Sequence, residues 1–332
     1  MKFCRLIALL LTAVTVWIVT ACGESYEPQE PLKPDPAHSQ LRILVVGNSY
    51  SWDAFLYAPW IIHNIDPNID LTIGILCHGG ARLKTHYDEH ITQNKEYPYY
   101  HKTVNFGSWT SQPATTFNQA IVEEEWDLIV MQQASGKSFD YSTYTYIADI
   151  QEYINISLGR KPDYAWLLTP AYPDGSNRLP GTPGVTTVTG MNSSDEMYEA
   201  IANCAKNAMN DYNFQFLIPV GTAIQNARQI PQLDVLGNFI GAGARGHLSA
   251  DGVHLQEGMP RLIANYTAAA AILNHYYKKN IDSDNITIDK AFCNTYAPGL
   301  ATGQIKGMNE ENRALAKQVV NNALANPYTI TR

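Results

Sequence analysis

Charge is scarce in this chain: only 16% of its 332 residues are Asp, Glu, Lys or Arg. No basic run stands out, and the formal net charge is -8. A nucleic-acid partner needs clustered cations to neutralise phosphates, so that class is excluded. Cysteine is scarce as well, with five residues in all. Cys4 falls in the leader described below and Cys22 directly behind it, which leaves Cys77, Cys204 and Cys293. Their number is odd and their spacing wide, so neither a disulfide framework nor a metal cluster follows. One disulfide and buried free thiols both stay open. Repeats are absent, and low complexity is confined to one proline-rich stretch. His86 and His90 stand at metal-ligand spacing on a predicted helix, yet no third His, Cys or carboxylate pattern completes a signature. They read as a helix-surface pair, and neither a metal nor a cofactor is expected.

Apolar residues make up 45% of the chain, ample core for one large domain or at most two. The 20 tyrosines and 6 tryptophans serve a core first and sugar-stacking surfaces second. Lys2 and Arg5 precede an apolar run over 6–19 that closes in Val19-Thr20-Ala21-Cys22. Charge, apolar run and small residues in that order mark an export signal. With the cysteine directly behind, it resembles a bacterial lipoprotein signal. That resemblance implies cleavage after residue 21, acylation of Cys22, and a protein anchored to a membrane at the periplasmic face or the cell surface. An uncleaved membrane anchor is the alternative, with an apolar stretch short for a full span. Residues 22–40 hold Glu-Pro and Lys-Pro-Asp-Pro and read as a semi-extended tether.

Beyond the tether, apolar runs alternate with helical stretches. Strands are expected at 43–46, 71–76, 127–131, 164–168 and 216–220. Helices are expected at 51–64, 81–94, 115–125, 141–158, 193–210, 257–277 and 309–324. Residues 95–112 read as irregular and aromatic. Unbroken aliphatic strands separated by helices predict an α/β fold, a five-stranded parallel sheet covered on both faces.

The first strand, Ile43 to Val46, ends in Gly47-Asn48-Ser49. Ser49 then sits past the carboxyl end of a sheet strand, where open α/β sheets bind ligands. It is either a nucleophile or a helix-capping serine. Late in the chain, Asp251 and His254 stand three apart just before a helix. A serine nucleophile needs an imidazole to take its proton, and that imidazole needs a carboxylate to hold its tautomer. His247 is the rival base, and His78 beside Gly79-Gly80 either faces the cleft or is satisfied within its loop.

Gly47-Asn48-Ser49, a glycine after the second strand, an amide after the third and Asp251-x-x-His254 together resemble the SGNH (GDSL-like) hydrolase superfamily. The resemblance covers about 41–277 and implies a flavodoxin-like three-layer sandwich. Carried over residue by residue, it makes Ser49 the nucleophile, His254 the base and acid, and Asp251 the orienting carboxylate. The oxyanion hole would be the N–H groups of Ser49 and Gly80 with the side-chain amide of Gln133. Two positions depart from the pattern: Asn48 replaces the usual Asp, and Gln132-Gln133-Ala134-Ser135 replaces Gly-x-Asn-Asp. Which glutamine serves, or whether either does, stays open. The stretch Val220 to Arg228 looks like an uncharacterised lipoprotein branch of these hydrolases, with Arg228 lining the site or held in a structural ion pair. The implied organisation is a hydrolase domain at 41–280 and a linker and packing helix at 281–332. The implied activity is hydrolysis of acyl esters, O-acetyl esters above all, on a small-molecule or glycan substrate. A non-catalytic glycan-binding lipoprotein is the alternative. The membrane is met only through the anchor.

Overall fold

A computed structural model describes residues 40–112, 114–179, 191–240, 246–278 and 307–332. The expected signal peptide, Cys22, the tether up to residue 39 and Cys293 lie outside the described residues.

The centre of the molecule is strand β1 (Gln40–Gly47). Its Leu41, Ile43 and Val45 point into one apolar layer and its Leu44 and Val46 into the other. A strand buried on both faces must be aliphatic throughout, which is why it shows no polar alternation. Around it, β2 (Asp70–Cys77), β3 (Tyr99–Val104), β4 (Thr110–Gln112), β5 (Leu128–Met131), β6 (Asp163–Leu167) and β7 (Phe216–Ile218) form one sheet in the order β4-β3-β2-β1-β5-β6-β7. The five strands from β2 to β7 in that order run parallel, while β3 and β4 join antiparallel.

The five-stranded parallel sheet expected from sequence is therefore corrected to a mixed sheet of seven strands among the described residues. The two extra strands lie in the stretch expected to be irregular. They are short, β4 is exposed throughout, and the turn between them puts Asn105 and Phe106 in the left-handed region. An edge hairpin of that kind lacks the aliphatic run that signals a buried strand.

One face of the sheet carries α1 (Ser49–Phe55), α2 (Ala58–Ile65), α7 (Val220–Arg228), α9 (Met259–Tyr277) and α10 (Glu310–Ala325). The other carries α4 (Phe117–Val122), α5 (Tyr146–Leu158) and α6 (Ser194–Asp211). Pro59 opens α2 rather than kinking one long helix, since proline fits the first turn, where its missing N–H has no helical partner anyway. Val220 belongs to α7, not to the fifth expected strand. A short α3 (Leu83–Thr85) runs into a π-helix at His86–Thr92, and α8 (Pro231–Asp234) follows α7. Cys77 and Cys204 are both free and buried, which decides against a disulfide between them. No helix among the described residues is long and apolar enough to cross a membrane.

Chain order reverses at β1: β2 lies on one side of it and β5 on the other. Their carboxyl ends, Gly47, Cys77 and Met131, are adjacent in register. Crossovers that part to opposite sides leave a crevice at that edge.

Candidate active site

Gly47 closes β1 at the crevice. A Cβ there would fall 2.1 Å from Ser51 Oγ and 2.9 Å from Gln132 Cδ. The position needs room for its neighbours and does not lie in the left-handed region. Asn48 follows and caps α1, its Oδ1 accepting from Tyr50 N at 3.0 Å. The same oxygen accepts from Gln132 Nε2 at 2.6 Å, while Asn48 Nδ2 donates to Ala81 O at 3.0 Å. One buried amide thus ties the ends of three neighbouring strands. Because Asn48 does the capping, the Ser49 hydroxyl is left for another partner.

That partner is His254. Its Nε2 lies 2.9 Å from Ser49 Oγ. Its Nδ1 lies 2.8 Å from Asp251 Oδ2. Asp251 Oδ1 accepts the backbone N–H of Val253 at 2.9 Å and of His254 at 2.8 Å, so the aspartate also builds the turn that presents the histidine. Burial works to raise the Asp251 carboxyl, and these hydrogen bonds outweigh it, leaving the group below its ordinary value.

The serine helix and the histidine loop are fastened to each other directly. Asp53, one helical turn after Ser49 and only 2% exposed, accepts from Leu255 N at 2.9 Å and pairs with Arg261 Nη2 at 2.9 Å. Tyr50 OH donates to Val253 O at 2.5 Å. Asn265, in α9, donates to Asp53 O at 2.7 Å and accepts from Tyr57 N at 2.7 Å. No sequence motif includes Asp53 or Asn265. The available signal is an acid four residues after the serine, on the face of α1 that its apolar residues mark as buried.

Ser49 and His254 open onto a cavity of about 410 Å³ lined also by Tyr50, Gly80, Ser135, Tyr172, Asn177 and Arg178. Among the described residues, no acceptor takes the backbone N–H of Ser49 or Gly80. Gly80 has φ +69° and open space where a Cβ would be, so here the conformation demands the glycine.

The expected third donor is a correction. Gln133 Nε2 donates to Thr143 O at 3.1 Å and Thr143 Oγ1 at 3.0 Å, while its Oε1 accepts from Leu83 N and Ala134 N. Its amide braces two loops behind the cavity and has no N–H left for an oxyanion. Gln132 is likewise spent, on Asn48 and on Ser51 Oγ. Neither glutamine lines the cavity.

His247, the rival base, is buried with Nδ1 2.9 Å from Asp234 Oδ1. Arg228 holds carbonyls rather than a carboxylate: Nη1 donates to Ala171 O at 2.9 Å and Nε to His247 O at 3.2 Å. His86 and His90 are not a surface pair; they are 1% and 2% exposed. His90 Nε2 meets His78 Nδ1 at 2.9 Å and its Nδ1 meets Lys95 O at 2.9 Å, while His86 Nδ1 meets Tyr97 OH at 2.7 Å. His78 is thus satisfied within this group.

Residues 42–301 match the family model described as "Domain of unknown function (DUF4886)". A DUF4886 family protein from Bacteroides uniformis ATCC 8492 is similar in structure at 25% identity and a TM-score of 0.67, over 88% of this chain and 97% of that one. A protein from Slackia heliotrinireducens, provisionally described as an SGNH hydrolase, shows 21% identity and a TM-score of 0.44 over 70% of this chain and 99% of that one. A catalytic mutant of Axe2, an acetylxylan esterase from Geobacillus stearothermophilus, shows 10% identity and a TM-score of 0.38 over 73% and 96%. No curated protein matches the chain.

Proposed function

Since the chain belongs to the DUF4886 family, and since Ser49, His254 and Asp251 line one cavity in hydrogen-bonded series, we propose that it is a serine esterase of SGNH type. Its substrates are acyl esters, O-acetyl esters of carbohydrates above all. The observation that carries this reading is the relay itself, Ser49 Oγ to His254 Nε2 and His254 Nδ1 to Asp251.

In this mechanism Ser49 Oγ attacks the ester carbonyl carbon as His254 Nε2 takes its proton. Asp251 keeps the other ring nitrogen protonated and stabilises the imidazolium. The tetrahedral oxyanion is met by the N–H groups of Ser49 and Gly80. It collapses with cleavage of the carbon–oxygen bond to the alcohol, which leaves with the proton from His254. Water then attacks the acyl-enzyme, giving its proton to His254, and the carboxylic acid departs as Ser49 recovers its hydrogen. Each oxyanion donor is worth about 10²–10³ in rate.

The test is hydrolysis of p-nitrophenyl acetate by wild type and Ser49→Ala. The substitution is expected to lower kcat by about 10⁴ or more. Equal rates for the two proteins would end the esterase reading. The second reading, a glycan-binding lipoprotein without catalysis, draws support from Gln133, whose amide is spent on Thr143. Two backbone donors remain for the oxyanion, and only a measured Ser49-dependent rate separates the readings.

Export and anchoring belong to the same proposal. With Cys22 as the acylated residue, Cys22→Ala is expected to abolish incorporation of labelled fatty acid. Label incorporated equally by the variant would remove Cys22 from that role.

A further inference from the structure

We propose that Arg178 reads a carboxylate on the substrate, so that the acylated sugar is an acidic one, a hexuronate. The inference rests on the esterase reading and narrows its substrate class.

Asn177 and Arg178 are exposed and line the same cavity as Ser49 and His254. Among the described residues neither side chain has a partner: no hydrogen bond or ion pair there engages the Asn177 amide or the Arg178 guanidinium. The cations deeper in the fold are spoken for. Arg261 pairs with Asp53, Arg160 with Glu125, and Arg228 holds backbone carbonyls. An unpaired guanidinium at the mouth of a cavity is a ready partner for an anionic group.

The segment that carries it is built, not loose. Asp174 Oδ1 accepts the N–H of Ser194 at 2.6 Å. Ser176, 1% exposed, donates from Oγ to Gly252 O at 2.8 Å and accepts Arg178 N at 3.2 Å. Gly252 lies between Asp251 and His254. The backbone of Arg178 is therefore pinned to the same short loop that presents the histidine, which keeps the base of its side chain close to the reacting centre. The Arg178 charge also bears on Tyr172: burial raises that phenol and the guanidinium opposes the rise, so the two groups share the cavity wall.

Charge complementarity selects the ligand. The molecule carries a formal net charge of -8, which repels anions at long range. The carboxylate within the cavity, Asp251, already bonds His254. A cation without a partner among the described residues favours an anionic group once the substrate is close. A guanidinium presents two parallel N–H donors that match a planar carboxylate. Beside it, the Asn177 amide can both donate to and accept from a ring hydroxyl. A cavity of about 410 Å³ falls within the range of small-molecule sites, enough for one acetylated sugar ring.

The experiment uses the mature protein and two substrate pools, methyl glucuronoside and methyl glucoside, each randomly O-acetylated to equal acetyl content. Acetate release gives kcat/KM for each. Wild type is expected to favour the uronate roughly tenfold or more, the scale of one charge-assisted bidentate contact. Arg178→Gln is expected to bring the ratio close to one, chiefly through a higher KM for the uronate. Arg178→Lys keeps the charge without the planar fork and should fall between. Ser49-dependent turnover with a wild-type ratio near one, or a ratio that Arg178→Gln leaves unchanged, overturns the inference and leaves the esterase reading standing. Absence of Ser49-dependent turnover on both pools sinks both. Arg178 is exposed, and thermal melts of its variants equal to wild type exclude misfolding as the cause.

Discussion

At the scale of single residues, the arrangement depends on which polar groups are spent and which are free. Gln133 is spent. If its amide were an oxyanion donor, Gln133→Ala would lower kcat by about 10²–10³. Its bonds to Thr143, Leu83 and Ala134 instead predict a structural effect: a loss of about 1–3 kcal/mol, for buried partners left unpaired, with kcat changed less than tenfold. Urea unfolding and steady-state kinetics on one preparation separate the two. Asp53 gives the opposite signature. Its carboxylate compensates Arg261 and Leu255 N, so Asp53→Ala leaves the Arg261 guanidinium beside the serine helix with only the exposed Glu257, at 3.4 Å, as a charged partner. The expected cost is about 3–5 kcal/mol in unfolding free energy. Asp53→Asn keeps a group that can accept from Leu255 N, and should retain the fold while lowering kcat by misplacing His254. A variant Asp53→Asn with wild-type kcat would show that the histidine loop holds its place without the Asp53–Arg261 ion pair. The hydrogen-bonded meeting of Ser49, His254 and Asp251 could be expected from the sequence because each lies in a short local pattern at a strand or helix end. Gln133 was misread because chemistry suggests an amide donor, while the partners that engage it, Thr143 and Leu83, come from other segments that a local pattern does not show. Asp53 was silent because its partners lie about two hundred residues away.

At the scale of elements, the π-helix at His86–Thr92 and the edge hairpin are what the sequence pattern concealed. A run rich in polar residues and placed after Gly79-Gly80 reads as an exposed helix. In the structure its two histidines turn inward and stack on Tyr97, His90 at 3.7 Å between ring centroids. Widening of the helical turn rotates side chains away from the positions that a 3.6-residue period assigns. Burial, with His90 and His78 as neighbours, lowers His86 to about 3. An ordinary histidine in the unfolded chain titrates near 6.5. Between those values the unfolded chain binds the proton that the folded one refuses, so stability falls as pH drops below about 6.5 and the loss continues toward 3. The expected slope from this residue is about 1.4 kcal/mol per pH unit. Replacing it by an apolar side chain, as in His86→Leu, should flatten the wild-type decline in melting temperature between pH 6.5 and 4.5, even if the variant is less stable at pH 7. An unchanged slope would mean that other groups carry the acid sensitivity.

At the scale of the molecule, a serine near residue 49 and a histidine near 254 meet because α9 lies across α1 and α2 on one face of the sheet. Alternation of aliphatic strands with helices made the parallel core legible, since that spacing has few solutions other than a layered sheet. The last helix was expected to pack on the domain, but the sequence did not say against what. Its role follows from what it covers. Ala316, Val319, Val320 and Ala323 of α10 are buried in the same layer as Ile43 and Val45 of β1. Beyond it, Pro327 O accepts from Thr222 Oγ1 and Thr331 N donates to Asn226 Oδ1, both in α7. The end of α7 carries Arg228, which holds Ala171 O on one side and His247 O on the other. A line of contacts therefore runs from the carboxyl-terminal helix to the segments that precede Asp251 and Ser176. Burial of the two valines alone stabilises by roughly 3–6 kcal/mol, against a net domain stability of about 5–15 kcal/mol. Deletion of 307–332 is thus expected to cost most of the fold, seen as a melting temperature lowered by far more than ten degrees or as insoluble protein. The milder Thr222→Val removes the hydroxyl that meets Pro327 and, across from it, Tyr198 OH at 2.8 Å. It should lower stability by about 1–3 kcal/mol while leaving KM for acetyl esters within twofold, because the cavity wall stays in place. If the truncated chain melted within a few degrees of the full one, α10 would be an appendage and the argument from its buried face would be wrong.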